Sequence, residues 1–247
     1  MSKTLLVIPH YNDAERLEPF LEDLLCTLPA HFSILVSDDG SLTEERKKLE
    51  ALIGRLAGTN HGLKLRTPCY TENNQGKGSA VRRGWEQMEG FSLIAFVDAD
   101  GAVNASEIHR AENYLRSHDS GADALFGSRV KMLGRSVQRS GLRHYSGRIF
   151  ATLVSVTADL PAYDTQCGLK IIKTEHYKKI SPYLRIAGFA FDVELCLFLL
   201  KSGAKIIEFP VDWCDVAGSK VRLMRDSIRM TKEVFKIRRR VSKIKTI

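Results

Sequence analysis

Phe96-Val97-Asp98-Ala99-Asp100-Gly101 decides how this chain is read. The apolar run from Leu93 to Val97 has the length of a buried strand, and it stops at two acids one residue apart, followed by a glycine that permits a sharp turn. Both carboxylates therefore stand at the carboxyl end of a strand, where open α/β sheets bind their ligands. Asp-x-Asp at such a point offers the hard oxygen ligands that Mg²⁺ or Mn²⁺ takes beside a phosphate. Read alone, the stretch is equally a solvated turn.

Working outward, the same unit recurs. Thr4 to Ile8 is a short apolar strand closed by Pro9-His10-Tyr11-Asn12-Asp13, and Leu17, Phe20, Leu21, Leu24, Leu25 and Leu28 then repeat at helical spacing. Phe32 to Val36 is a second strand, ending in Ser37-Asp38-Asp39-Gly40-Ser41 before a helix marked by Leu49, Leu52, Ile53 and Leu56. Leu63 and Leu65 predict a weaker third strand, and Asn73-Asn74-Gln75-Gly76-Lys77-Gly78-Ser79 leads into a helix with Val81, Trp85 and Met88. The twin-aspartate strand is then the fourth. After it come a helix with Ile108, Ala111, Tyr114 and Leu115, and a strand Ala122 to Phe126 ending in Gly127-Ser128-Arg129. A basic loop, Lys131 to Arg148, enters a helix running to about Ala158; later strands are Ile171-Ile172 and Lys205 to Val211, with an apolar helix from Phe191 to Leu200 between them. Alternation of this kind predicts an α/β fold with a mostly parallel, Rossmann-like sheet and helices on both faces. The loops after successive strands gather at one edge, which makes Asp13, Asp39, Lys77, Asp98 and Asp100 neighbours.

Composition narrows the classes. The 247 residues are 44% hydrophobic and 27% charged, too apolar for a disordered chain and enough for one globular domain. No apolar run approaches the ~18 residues of a membrane span, and Leu5-Leu6-Val7-Ile8 is too short for a signal-peptide core, so the expected location is cytoplasmic or on a cytoplasmic membrane face. Five cysteines without a C-x-x-C read as reduced thiols and mostly core filler. The seven histidines, His10 and His144 among them, show no ligand spacing and read as surface or loop residues. Neither G-x-G-x-x-G nor a Walker motif is present, which disfavours ordinary dinucleotide and P-loop binding. The net charge of +8 is a property of the end of the chain: Arg222 to Lys245 holds ten Lys or Arg against two acids, and the remainder is neutral. A domain over residues 1–221 and a basic amphipathic tail over 222–247 follow. The tail reads as a membrane-surface helix whose stripe is Ile228, Thr231, Phe235, Val241 and Ile244, or as a solvated carboxyl-terminal helix.

Five pieces in fixed order, Pro9-x-Tyr11-Asn12, Asp38-Asp39-Gly40-Ser41, Gly76-Lys77-Gly78, Asp98-Ala99-Asp100-Gly101 and Gly127-Ser128-Arg129, resemble the family 2 glycosyltransferases with the GT-A fold. Asp164-Thr165-Gln166-Cys167-Gly168, Ala190-Phe191-Asp192-Val193-Glu194-Leu195 and Gly218-Ser219-Lys220 resemble its polyprenyl- and dolichyl-phosphate branch, with the glucose-transferring members nearest. The resemblance spans about residues 4 to 225. It implies inverting, metal-dependent transfer of a hexose, glucose from UDP-glucose, to a polyprenyl or dolichyl phosphate. Pro9, Tyr11, Asp13, Asp39, Lys77, Asp98 and Arg129 would bind the nucleotide sugar, with Asp39 accepting from the base. Asp98 and Asp100 would hold Mg²⁺ or Mn²⁺; with Asp192 they form the expected catalytic set. Arg129, Arg139 and Arg143 would receive the lipid phosphate.

The chain departs from the family in two places: Asp13 stands where glutamate is usual, and the resembling glucosyltransferases carry an amino-terminal transmembrane anchor that this sequence lacks. Ala102 replaces a polar ligand that mannose synthases often carry, which favours the glucose branch. Several residues keep a structural reading: Asp39 as a helix cap, Lys77 as a solvated lysine, Asp192 and Glu194 as acids favoured at a helix start, and Trp213 as core. Two rivals remain, a family 2 enzyme acting on a sugar hydroxyl with Asp192 or Glu194 as base, and a nucleic-acid-binding protein using the basic tail. The expected partners are the nucleotide sugar, the lipid phosphate and an anionic membrane surface, without nucleic acid.

Overall fold

The computed structural model describes residues 3–59, 64–117, 120–138, 162–216, 223–245 and 247, with the backbone alone for 223–229. Six strands form the central sheet: β1 (Thr4–His10), β2 (Phe32–Asp38), β3 (Leu93–Val97), β4 (Ala124–Ser128), β6 (Leu169–Lys173) and β7 (Ile206–Pro210). Their order is β2-β1-β3-β6-β4-β7. Neighbours run parallel except β6, which is antiparallel to both β3 and β4. A two-stranded ribbon pairs β5 (Val137–Gln138) with β8 (Trp213–Cys214).

Side-chain alternation along the strands sorts the core into two layers. Leu6, Ile8, Ala95 and Val97 face α1 (Ala14–Thr27), α2 (Thr43–Ala57) and α4 (Ala105–Arg116) through Leu17, Leu21, Leu49, Leu52, Ile108 and Leu115. Leu5, Val7, Ile94 and Phe96 face α3 (Lys77–Trp85), α5 (Thr174–Ile180) and α6 (Phe191–Lys201) through Val81, Trp85, Tyr177, Phe191 and Phe198. The predicted α/β class with helices on both faces is what the chain forms.

Three expectations are corrected. The weak third strand is reduced to isolated parallel bridges, Ile34 to Leu65 and Ser37 to Cys69, so the twin aspartates follow the third strand of the chain. Of the five thiols only Cys167 and Cys196 are buried; Cys26 and Cys214 are exposed. The tail does form a helix, α7 (Leu223–Lys243). Its apolar side, however, is buried against the domain: Met230 and Ile237 cluster with Ala190, Val234 enters the core under α6, and Val241 and Ile244 pack on that core. Thr231 is half-buried, and Phe235 points outward. The expected stripe is therefore not the apolar side found: Val241 and Ile244 pack inward with Met230, Val234 and Ile237, which already have an apolar partner, while Phe235 lies on the opposite face. The side chain of Ile228 lies outside the described residues, as do Arg139, Arg143, His144, Arg148, the helix expected up to Ala158 and Gly218-Ser219-Lys220.

Candidate functional site

The carboxyl ends of β1, β2, β3 and β4 and the amino end of antiparallel β6 meet at one edge of the sheet. Asp98 and Asp100 lie there in the turn after β3, with Gly101 at φ 70°, a backbone conformation that glycine adopts without strain. Asp100 accepts a hydrogen bond from the Ala102 amide at 3.0 Å. The two acids are driven apart in acidity. Burial and the Asp98 charge raise the Asp100 carboxyl. Burial also works against ionised Asp98, but Lys77, with help from Lys170 and Arg129, more than offsets it and holds Asp98 below the ordinary range.

Lys77 opens α3, a position where a cation opposes the helix dipole unless anions are near. Its ammonium lies 2.8 Å from Asp98 Oδ1 and 3.4 Å from Asp192 Oδ2. Burial disfavours its charge, yet Asp192 and Asp98 more than restore it, so it stays an ammonium. Asp192, in the first turn of α6, is buried and sits between Lys77 and a second lysine, Lys170, whose Nζ is 3.4 Å from Asp192 Oδ1. Lys170 is itself fully buried; its Nζ donates to the Cys167 carbonyl and lies over the rings of Phe126 and Phe96. Asp192 is thus enclosed by cations rather than open as a base. Glu194 is equally buried, and it accepts from the amides of Arg185 and Ile186 and from Arg240 of α7.

Gly168 shows how closely this edge is packed. A Cβ there would come within 2.4 Å of Asp98 Oδ2. Gly168→Ala is expected to displace the Asp98 carboxylate, lowering turnover by about tenfold or more while costing only about 1–3 kcal/mol of stability, the usual range for overpacking. Initial rates and urea unfolding on the same preparation check this; unchanged turnover would show that Asp98 can move freely.

On the β1–β2 side the loops are tied to each other. Asn12, at φ 51°, donates its amide to Ser41 Oγ and accepts from the Leu42 amide. His10 is buried, which corrects its reading as a surface or loop residue: its Nδ1 lies 3.0 Å from Asp38 Oδ2, and its Nε2 accepts from the Asp13 amide. Burial pushes the Asp38 carboxyl up, but hydrogen bonds from His10 and Ser41 more than offset this and leave it below the ordinary range. Asp39 is held by the amides of Gln75 and Gly76 and by Arg83, so it fixes the loop that delivers Lys77. The Gln75 amide is shared between both oxygens, so each oxygen of Asp39 already accepts two contacts. Tyr11 is 40% exposed beside these loops and Pro9 is half-buried within β1. Asp13 is taken by the Arg16 guanidinium, Nε to Oδ2 at 2.8 Å.

At the β4 end Arg129 forms a two-pronged pair with Asp164, 2.7 and 2.8 Å, and its own amide donates to the same carboxylate. Burial works against the charge of Asp164, but Arg129 holds its carboxyl down to about 2. The guanidinium also lies over Trp213, 5.6 Å from the ring centroid, so Trp213 packs beneath the site as well as on the core. Burial pushes the Cys167 thiol up to about 11, which leaves it protonated and unreactive at neutral pH. The structure therefore brings Pro9, Tyr11, Asp13, Asp39, Lys77, Asp98, Asp100, Arg129 and Asp192 to one edge. It adds Lys170, Asp164 and His10, to which the sequence assigned no role.

Known proteins share the family and the fold of this chain. The family model "Glycosyl transferase family 2" matches residues 5–181. A dolichyl-phosphate beta-glucosyltransferase of Saccharomyces cerevisiae is 31% identical, covering 94% of this chain and 73% of the relative. The human protein of the same name is 29% identical over 95% of this chain and 74% of its own. Among solved structures, glucosyl-3-phosphoglycerate synthase from Mycobacterium tuberculosis in complex with Mn²⁺, UDP-glucose and phosphoglyceric acid superposes with a TM-score of 0.68. It is 14% identical and covers 98% of this chain and 80% of that one, a likeness of fold.

Proposed function

Because the chain belongs to glycosyl transferase family 2 and is a glycosyltransferase, we propose that it transfers glucose from UDP-glucose to a dolichyl or other polyprenyl phosphate, with inversion at the anomeric carbon. The observation that carries this reading is the group Asp98, Asp100 and Lys77 at one strand end, two carboxylates of opposed acidity and a buried ammonium. A sugar leaving as its nucleoside diphosphate develops negative charge, and fixed cations at that point stabilise it. Burial and then the Asp98 charge raise the pKa of Asp100, and the hard oxygens of the two acids suit Mg²⁺ or Mn²⁺. Asp98 and Asp100 would hold that ion, which supplies further positive charge to the diphosphate when bound. On the nucleotide, Tyr11 offers a ring face to the base, Asp39 accepts from the base in place of the shared half of the Gln75 bond, and Pro9 and Asp13 form the rim.

The acceptor side follows from charge. A phosphate monoester, with a second pKa near ~6, is already largely a dianion at neutral pH and needs no general base. Its oxygen bonds to the anomeric carbon as that carbon's bond to the diphosphate oxygen breaks on the opposite face. Arg129, with Arg139 and Arg143, would orient the acceptor phosphate, and Asp164 would hold Arg129 in place. Asp192 then serves by positioning Lys77 and Lys170. Its enclosure argues against the rival reading, transfer to a sugar hydroxyl with Asp192 as base. The relatives named as dolichyl-phosphate glucosyltransferases support glucose and a lipid phosphate as the two substrates.

The test is a panel of nucleotide sugars with Mg²⁺ or Mn²⁺ and a short, water-soluble polyprenyl phosphate. UDP-glucose should give product, and the polyprenol lacking phosphate should give none. Transfer to the alcohol or to a free sugar at an equal rate would contradict the proposal.

A further inference from the structure

We infer that the outward face of α7 is a docking surface for an anionic lipid bilayer. This deepens the functional reading above and rests on it for the acceptor. The helix has two opposed sides. Met230, Val234 and Ile237 are buried, Val241 and Ile244 pack inward beside them, and the Arg240 guanidinium reaches Glu194 at 2.7 Å. At about 100° per residue, Lys232, Phe235, Lys236, Arg239 and Lys243 fall on the other side. All five are exposed, Phe235 at 60%. Among the described residues no carboxylate pairs with Lys232, Lys236, Arg239 or Lys243. The result is a stripe of four uncompensated cations about 17 Å long, flanked by one aromatic ring.

Charge complementarity selects the occupant. A flat array of lipid phosphates and carboxylates matches a straight row of lysines and an arginine, and an exposed phenylalanine beside it can enter the headgroup boundary. Among the described residues no helix is long and apolar enough to cross a membrane. The inner side of α7 links that surface to the site. Glu194, which takes Arg240, also holds the amides of Arg185 and Ile186, and the Ala187 carbonyl that follows accepts from Ser79 in the first turn of α3. Adsorption through the outer face leaves these inner contacts intact, so the helix acts as a fixed base and not as an inserted anchor.

The experiment is co-sedimentation of the full chain with phosphatidylcholine vesicles, with and without phosphatidylserine, at low and high salt and without either substrate. The wild type should bind the serine-containing vesicles, lose them at high salt and ignore the neutral ones. Lys232→Glu/Lys236→Glu/Arg239→Glu should weaken that binding on the order of a hundredfold, keep the same helical circular dichroism, and keep its rate on the short soluble acceptor. Phe235→Ser should weaken binding by less than the triple change. Equal binding by the triple variant, or indifference of the wild type to anionic vesicles at low salt, would overturn the inference. Preference for duplex DNA over vesicles at the same salt would do so too. Because no substrate is present, a failure here leaves the transfer assay to stand or fall by itself.

Discussion

Asp100→Asn is expected to reduce turnover by at least ~10²- to 10³-fold, the usual loss when a group that organises charge in the transition state is removed, while leaving the fold as stable as before. The second half of that expectation is as diagnostic as the first. Asp100 is raised in pKa by burial and then by repulsion from Asp98, so it is held in place against its own electrostatic preference. Deleting its charge relieves that repulsion, and thermal stability should stay level or rise. Metal titrations should show weaker binding of Mn²⁺ read directly, without substrate. A variant with near-normal rate and unchanged metal dependence would mean that Asp100 is only a turn residue.

Asp164→Asn is the substitution expected to cost most in stability. It leaves the Arg129 guanidinium beside a neutral amide in a largely buried setting, and breaking such a pair costs about 3 kcal/mol or more. The pH dependence has a defined sign. Arg129 depresses Asp164 from its ordinary value of 3.8 to about 2, so the pair contributes fully above the unfolded pKa and fades as pH falls through the folded one. The stability gap between wild type and variant, measured by urea unfolding, should therefore be constant near neutrality and shrink between about pH 4 and pH 2. A gap independent of pH across that window would show that Asp164 acts through packing alone. With Arg129 released, the acceptor KM should rise more than the donor KM.

The central strands and the gathering of their loops were legible because each strand is a short apolar run ended by turn formers, as at Val97-Asp98 and Val36-Ser37-Asp38. Direction was not legible. Nothing in Leu169–Lys173 announces that β6 runs against its neighbours, since alternation of side chains is the same in either sense. Lys170 escaped notice because a lysine before two isoleucines reads as the solvated end of a strand. In a sheet covered on both faces, its place one residue from Ile171 and two from Ile172 put it inside with Phe96 and Phe126. That pattern, a cation within a strand of a doubly covered sheet, was the available signal. Asp164 stood in the motif Asp164-Thr165-Gln166-Cys167-Gly168, but its pairing, like that of His10, had no signal, because the partners lie 35 and 28 residues away and only the fold joins them. The tail carried the converse lesson. The spacing marked a helix, but of the stripe it named only Val241 and Ile244 pack on the core while Phe235 points outward, and periodicity is silent on whether an apolar side meets lipid or protein.

The central claim is that glucose moves to a phosphate oxygen of a polyprenyl chain, and phosphorus NMR of the product tests it most directly. With UDP-glucose labelled with ¹³C at the anomeric carbon and a short polyprenyl phosphate, the account predicts one new phosphodiester resonance coupled to that carbon, with β geometry at the sugar. A product whose labelled carbon shows no coupling to phosphorus, or no reaction with the phosphate while a sugar hydroxyl is glycosylated, would contradict it.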